Sequence, residues 1–330
     1  MPPTVLIAIG GNALMRPSEP ATANVERTRV AETCRAISDV VSSGWRVVIT
    51  HGNGPQVGAA LLRSERAAAE AYPLSLDLCV ASTQGEVGYL LQQGLGLELE
   101  IRGVRRQIAT VVTQVVVDRQ DHAFAQPTKP IGPFYSAAEM AVRRARGWTL
   151  VEEPSHGWRR VVPSPEPLEI IEESVIRGLL DANVVVITLG GGGIPVARHA
   201  HALTGIEAVV DKDLASALLA TRLQADRFVM ATDVDRIYVG FGTAHARGLT
   251  EITADGLRRY AAAGEFPTGS MGPKVEAALR FVESVRRDVI VCSLDQLAAA
   301  VAGHAGTRIV PPVLDQQNSR ASADGIAAAP

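Results

Sequence analysis

The chain has 330 residues, 47% of them hydrophobic and 20% charged, with a net charge of −3 at neutral pH. That length allows one large α/β domain or two smaller ones, and the composition suits a soluble globular protein able to bury a sizeable core. There is no basic excess and the arginines are scattered, so neither a nucleic-acid surface nor a membrane surface is expected.

Strand-like apolar runs alternate with helical patterns, which predicts a mainly parallel sheet covered by helices on both faces. Thr4–Ile9 reads as a buried first strand, too short and too weakly flanked for a signal peptide or membrane span, and ends in Gly10-Gly11-Asn12. A helix is predicted from about Ala23 to Val41, stopped near Gly44. The second strand, Arg46–Thr50, ends in His51-Gly52-Asn53-Gly54-Pro55. Helical stretches follow over about 56–71 and 82–95, then a single strand over Ile108–Val117.

From about 118 to 168 the pattern changes. Pro127, Pro130, Pro133, Pro154, Pro163, Pro165 and Pro167 fall here with two of the three tryptophans. So long an irregular stretch predicts an inserted subdomain or lid. Alternation then resumes with a helix over about 169–181 and a strand, Val184–Leu189, running into Gly190-Gly191-Gly192-Gly193. A helix over Leu214–Arg222 leads to a strand, Arg227–Ala231, that ends at Asp233. Helices near 254–263 and 272–285 and strands at 288–292 and 307–310 complete the core. The Ala-rich tail beyond about 313 is expected to be disordered. Cys34, Cys79 and Cys292 are odd in number, far apart and without metal-ligand spacing, so they read as reduced thiols filling a core in a cytoplasmic protein.

Only three of the 32 Lys and Arg residues are lysine: Lys129, Lys212 and Lys274. Each stands in a Gly-, Pro- or Asp-dense stretch: PTKPIGPFY, EAVVDKDLAS and GSMGPKVEAA. Elsewhere arginine supplies positive charge. A lysine kept in such a setting is expected to act as a compact point charge in a tight site, rather than as one more surface cation.

Three strands end in glycine-rich turns, GGNA at 10–13, HGNGPQVG at 51–58 and GGGGIP at 190–195. In a parallel sheet such turns gather at the carboxyl edge, where close backbone approach and N–H groups favour an anion. The acidic group is Asp211 and Asp213 around Lys212, with Asp233 and Asp235 after the next strand. Asp–Lys–Asp could be a helix N-cap, but orienting a retained lysine is the sharper reading. Asp233, at a strand's carboxyl end, suits nucleotide or Mg²⁺-linked contacts, or simply a turn. His199 and His201 have no partner motif and are read as loop histidines.

Lysine charges, glycine donors and carboxylates together point to phosphoryl transfer, where a protein positions reactants and neutralises charge without a covalent nucleophile. There is no Walker A loop and no protein-kinase motif set. The four-glycine turn partly imitates a dinucleotide fingerprint, but Pro195 stands where the third glycine belongs and no second strand leads to Asp211.

The stretches AIGGNAL (8–14), THGNGPQVG (50–58), TQGEVGYLLQQ (83–93), ATVVTQVVVD (109–118) and PTKPIGPFY (127–135) continue with GWRRVVPSPEP (157–167) and GGGGIPV (190–196). GIEAVVDKDLAS (205–216), TDVDRIY (232–238) and GSMGPKVEAA (269–278) complete the series. In these motifs, which run in family order, the chain closely resembles the carbamate kinases of the amino acid kinase family; PTKPIGPFY is specific to them.

The resemblance implies a homodimeric three-layer αβα sandwich with a small protruding subdomain at about 118–168. Residues 1–168 would form the carbamate- and phosphoryl-binding lobe, 169–312 the nucleotide-binding lobe, and 313–330 a tail. The reaction would be reversible phosphoryl transfer between carbamoyl phosphate with ADP and carbamate with ATP, ATP-forming in catabolism. Mg²⁺ would ride on the nucleotide phosphates, with no protein metal site. Gly10, Gly11, Asn12, Gly52, Asn53 and Gly54 would hold carbamate and the transferring phosphoryl. Lys129, Lys212 and Lys274 would stabilise that group, with Asp213 orienting lysines. Gly190, Gly191, Gly192, Gly193, Asp211, Asp233, Tyr238, Met271 and Pro273 would line the nucleotide site.

Three departures stand out. Ala8 replaces a lysine that many amino acid kinases carry two residues before the first Gly-Gly. Cys79-Val80-Ala81-Ser82-Thr83-Gln84-Gly85 stands where the family usually reads CGAMSQG. Glu265 replaces a common histidine. A kinase for another small carboxylate or phosphonate is the nearest alternative, and a catalytically silent nucleotide sensor is a more distant one. The short turns carry no cation for a distal carboxylate, which favours a small substrate, and retention of all three lysines speaks against a sensor.

Overall fold

In the computed structural model the described residues are 1–312, apart from 16–18, 21, 146, 154–156, 201, 268 and 270 and the side chain of Asn12. The chain opens with β1 (Thr4–Ile9), a 3-10 turn at Gly11–Ala13, α1 (Ala23–Ser42) and β2 (Arg46–His51). Then come α2 (Gly54–Arg66), α3 (Leu76–Ile101), β3 (Ile108–Thr110) and β4 (Gln114–Val116). A compact unit follows, made of β5 (Lys129–Tyr135), α4 (Ala137–Ala145), β6 (Thr149–Glu153) and β7 (Gly157–Val162). Next are β8 (Glu169–Ile170), α5 (Glu173–Asp181), β9 (Val185–Thr188), β10 (Ile194–His199) and β11 (Ala202–Gly205). The rest is α6 (Lys212–Leu223), β12 (Arg227–Thr232), β13 (Tyr238–Val239), β14 (Arg247–Gly248), β15 (Glu251–Thr253), α7 (Ala254–Ala262), α8 (Met271–Val285), β16 (Val289–Ser293), α9 (Leu297–Val301) and β17 (Thr307–Val310).

The main sheet runs β15-β17-β16-β12-β1-β2-β9-β3, parallel throughout except where β16 meets β17. Its central strands are apolar without alternation because helices cover both faces. Val5, Ile7 and Ile9 of β1 face a core built with α1, α3 and α9, whereas Leu6 and Ala8 face one built with α5, α6, α7 and α8. In the second core the Phe228 and Phe281 rings meet edge-to-face at 5.6 Å, both fully buried. Truncating either ring to alanine would cost about 3–5 kcal/mol.

Two smaller sheets stand beside the main one. One has the order β11-β10-β4-β8, and the other is the antiparallel β5-β7-β6. Val57, Leu76, Val116, Ile131, Val162 and Ile194 form a third apolar cluster that joins them to α2 and α3.

Several elements differ from their predicted form. The strand predicted over Ile108–Val117 is two strands in two sheets. Thr113 leaves the ladder, its N–H donating to Gln84 Oε1 at 2.8 Å and its hydroxyl meeting Thr188 Oγ1 at 2.6 Å. The helix predicted over 82–95 is the longer α3, despite Gly85, Gly88, Gly94 and Gly96. Tertiary packing overrides propensity there, because Gly88 lies against Thr110 and Gly94 against Cys34. The helix predicted over 56–71 starts earlier, with Pro55 in its first turn, and stops at Arg66. The helix predicted from 169 starts at Glu173, since Glu169 and Ile170 pair with β4. The β10–β11 hairpin was not anticipated, and His199, read as a loop residue, ends β10. The second loop histidine, His201, and the tail from 313 lie outside the described residues.

Cys34, Cys79 and Cys292 are fully buried, and burial pushes their thiols up to about 12, 11 and 12. They act as small core hydrophobes. No helix among the described residues is long and apolar enough to cross a membrane.

Candidate active site

Because β1, β2, β9 and β12 are parallel neighbours, their carboxyl ends share one edge of the sheet, where ligands of such folds bind. The Gly10 N–H donates to the Ala231 carbonyl at 3.2 Å, and the Gly52 N–H to the Ile9 carbonyl at 3.0 Å. The turns pack too closely for side chains. A Cβ on Gly52 would stand 2.7 Å from the Gly11 nitrogen, and one on Gly191, whose φ is +67°, would run into the Asn53 amide. Gly192 lies against Val210 and Asp211 in the same way. The three turns therefore form one continuous backbone surface from Gly11 to Asp211.

The lysines stand on that surface. Asp211 caps α6, its Oδ1 accepting from the Asp213 N–H at 2.9 Å, while its Oδ2 accepts from Lys129 Nζ at 2.6 Å. Asp213 Oδ1 accepts from Lys212 Nζ at 2.6 Å and Oδ2 from Lys274 Nζ at 2.8 Å. Three ammonium groups thus share two carboxylates. Burial alone would push the Asp213 carboxyl up, but Lys212 and Lys274 overrule it and hold the group far below the usual carboxylate range. Burial lowers Lys212 below an ordinary lysine despite Asp213. Burial also acts against the charge of Lys274, yet Asp213, Asp211 and Asp233 outweigh it and raise that group.

These groups open into a cleft of about 1100 Å³. Gly10, Gly11, Lys129, Asp211, Lys212 and Asp213 line it, together with Asp233, Tyr238, Met271, Pro273 and Lys274. Tyr238 donates its hydroxyl to Asp235 Oδ1 at 2.8 Å. Gly52, Asn53 and Gly190–Gly193 do not line the cleft. They are buried behind its floor, and Gly54 is exposed at the start of α2. Asn12 lies in the Gly11–Ala13 turn, and its side chain is outside the described residues.

Beneath the turns is a buried polar layer that the motif reading did not resolve. Asn53 Nδ2 donates to Thr83 Oγ1 at 2.8 Å. Gln84 Nε2 donates to the carbonyls of Thr113 and Gly190, both at 3.1 Å, and its Oε1 accepts the Thr113 N–H. The two carbonyls also accept from the Ile194 and Gly193 N–H groups, but the Thr113 N–H has only Gln84, and it would cost about 1–3 kcal/mol if left buried without a partner. Thr50 Oγ1 meets Ser216 Oγ at 2.7 Å, tying β2 to α6. His51 is buried, its Nδ1 3.0 Å from the Gly52 carbonyl, and burial pulls it down to about 4, so it adds no charge at neutral pH. The only signal for this layer was the TQG run within the α3 motif.

The β5–β7 unit that carries Lys129 is fastened at other points. Arg160 stacks 4.4 Å from the Trp148 ring centre and pairs with Glu207 at 3.0 Å; Glu207 also accepts the Leu76 N–H at 2.8 Å. Arg280 of α8 pairs with Glu166 just beyond β7. Among the described residues no three His, Cys, Asp or Glu side chains gather to hold a metal ion.

A parallel-sheet edge with glycine turns and a buried lysine–carboxylate cluster suits phosphoryl transfer. The model of the amino acid kinase family matches residues 3–293. The carbamate kinase of Thermococcus kodakarensis is 44% identical over 313 residues, covering 93% of this chain and 98% of its own. Carbamate kinase 1 of Enterococcus faecium is 43% identical over 297 residues, with 89% and 94% covered. The solved carbamate kinase from Giardia lamblia bound to AMP-PNP superposes with a TM-score of 0.90 at 39% identity, covering 94% of this chain and 99% of that one. The chain belongs to the amino acid kinase family and, within it, to the carbamate kinases, and it is a phosphotransferase.

Proposed function

We propose that this chain catalyses reversible phosphoryl transfer between carbamoyl phosphate with ADP and carbamate with ATP, and that it runs toward ATP in the cytoplasm. The observation that carries the reading is the lysine cluster. Three ammonium groups on two carboxylates stand where the three glycine turns meet. In the ATP-forming direction a terminal oxygen of ADP forms the new bond to phosphorus as the bond to the carbamoyl oxygen breaks, and carbamate leaves with that electron pair. Charge spreads over the three equatorial oxygens of the moving group, and fixed cations placed there lower the barrier.

Gly10, Gly11, Asn12, Gly52, Asn53 and Gly54 are assigned to carbamate and the moving phosphoryl. Gly190–Gly193 support these turns from behind, at the junction with Asp211. Lys129, Lys212 and Lys274 neutralise the transferring group and the nucleotide phosphates, with Asp213 and Asp211 holding them in place. Asp233, Tyr238, Met271 and Pro273 line the seat of the nucleotide. Residues 118–168 act as a lid that lowers Lys129 over the site.

The donor set suits a Mg²⁺ that arrives on the nucleotide phosphates, because Asp211 and Asp213 each already accept from lysine ammonium groups. When bound, that ion neutralises phosphate charge. The carbamoyl phosphate would come from catabolism of arginine, agmatine or purines. A homodimer is assigned from the exposed apolar residues of α3, namely Leu78, Tyr89, Leu97 and Ile101.

Purified protein with carbamoyl phosphate and Mg-ADP is expected to form ATP. Absence of ATP above background would overturn the reaction, and turnover only with another phosphorylated small acid would move the substrate assignment.

A further inference from the structure

The nucleotide side of the cleft holds a group that the roles above do not use. Glu265 lines the cleft with Tyr238, Phe241, Phe266 and Met271. Its Oε2 accepts the Gly240 N–H at 2.8 Å, which ties it to the segment between β13 and β14. Its Oε1 accepts no hydrogen bond among the described residues. Phe241, on the same segment, is 65% exposed, with its ring centre 6.1 Å from that of Tyr238. Two aromatic faces at a cleft mouth suit a flat heterocycle, and an ionised carboxylate beside them can only accept hydrogen bonds.

We propose that Glu265 reads the exocyclic amino group of the nucleotide base, so that the cleft selects adenine over the isosteric hypoxanthine. One carboxylate oxygen is fixed by Gly240, and the other accepts from the 6-amino group of adenine. Hypoxanthine presents a carbonyl oxygen at that position. Two acceptors would then face each other in a partly dry site, leaving both unpaired. The inference rests on the seat assigned to the nucleotide above.

Glu265→Gln separates the two oxygens. Its carbonyl can keep the Gly240 hydrogen bond while its NH₂ turns a donor toward the base. With carbamoyl phosphate saturating, kcat/KM is measured for ADP and IDP. The wild type is expected to favour ADP by about ten- to hundredfold, and E265Q to bring the ratio to parity or invert it. Glu265→Ala, which loses both contacts, is expected to fall between them. An unchanged ADP:IDP ratio in E265Q, or equal use of the two by the wild type, would overturn base reading by Glu265. Either result with ATP still formed from ADP leaves the proposed reaction standing, whereas no ATP from ADP overturns the reaction itself.

Discussion

Asp213 holds two ammonium groups on one buried carboxylate, and Asp211 divides itself between the α6 cap and Lys129. This arrangement accounts for lysine in an arginine-rich chain. A guanidinium fork is longer and planar, and it cannot stand at the same point between a carboxylate and a phosphoryl oxygen. Ala8 sharpens the requirement, since no cation comes from β1. Lys129→Arg is therefore expected to lower kcat for ATP formation by at least about a hundredfold. The thermal midpoint should hardly move, because a partly exposed ion pair contributes only about 0–1 kcal/mol. Turnover like that of the wild type would remove Lys129 from the chemistry. The three lysines and the glycine turns were legible in the sequence because the residue types carry the chemistry. The pairing of Lys129 with Asp211, 82 residues apart, was not. It depends on how the β5–β7 sheet folds across the chain, which no local pattern encodes.

Among the elements, α3 works on two faces. Inward, Thr83 and Gln84 hold the Asn53 and Gly190 turns from below. Outward, Leu78, Tyr89, Leu97 and Ile101 stay exposed. A helix that places apolar groups in water while gripping the glycine turns suits a subunit contact, and the wild type is expected to sediment as a dimer. Tyr89→Glu with Leu97→Glu should shift it to monomer; a wild type that sediments as a monomer at micromolar concentration would contradict the assignment. Much of this helix was hidden in the sequence. Its glycines lower helix propensity, and their use as close contacts with Thr110 and Cys34 shows only once the strands are in place. Thr113 hid a boundary in a similar way. Ile108–Val117 reads as one strand, but bonds to Gln84, Thr188 and the Ile194 N–H hold residue 113 outside the ladder.

For the molecule as a whole, the alternation of apolar runs and helical stretches sufficed to foresee a parallel sheet covered on both faces. The two cores divide along β1 residue by residue. The β5–β7 sheet was recognisable only as a proline-rich interruption, since its strands are half-buried and partly arginine-stacked rather than apolar. The sheet edge, this added unit, α6 and α8 then close around one cleft, with Lys129 from β5, Lys212 and Asp213 from α6 and Lys274 from α8. That convergence is the central claim, and amine acylation mapped by mass spectrometry tests it most directly, because only the N-terminus and three lysines can react. Carbamoyl phosphate with Mg-ADP is expected to protect at least two of Lys129, Lys212 and Lys274 while the N-terminal amine labels as before. Equal labelling of all three lysines with and without these ligands would contradict it.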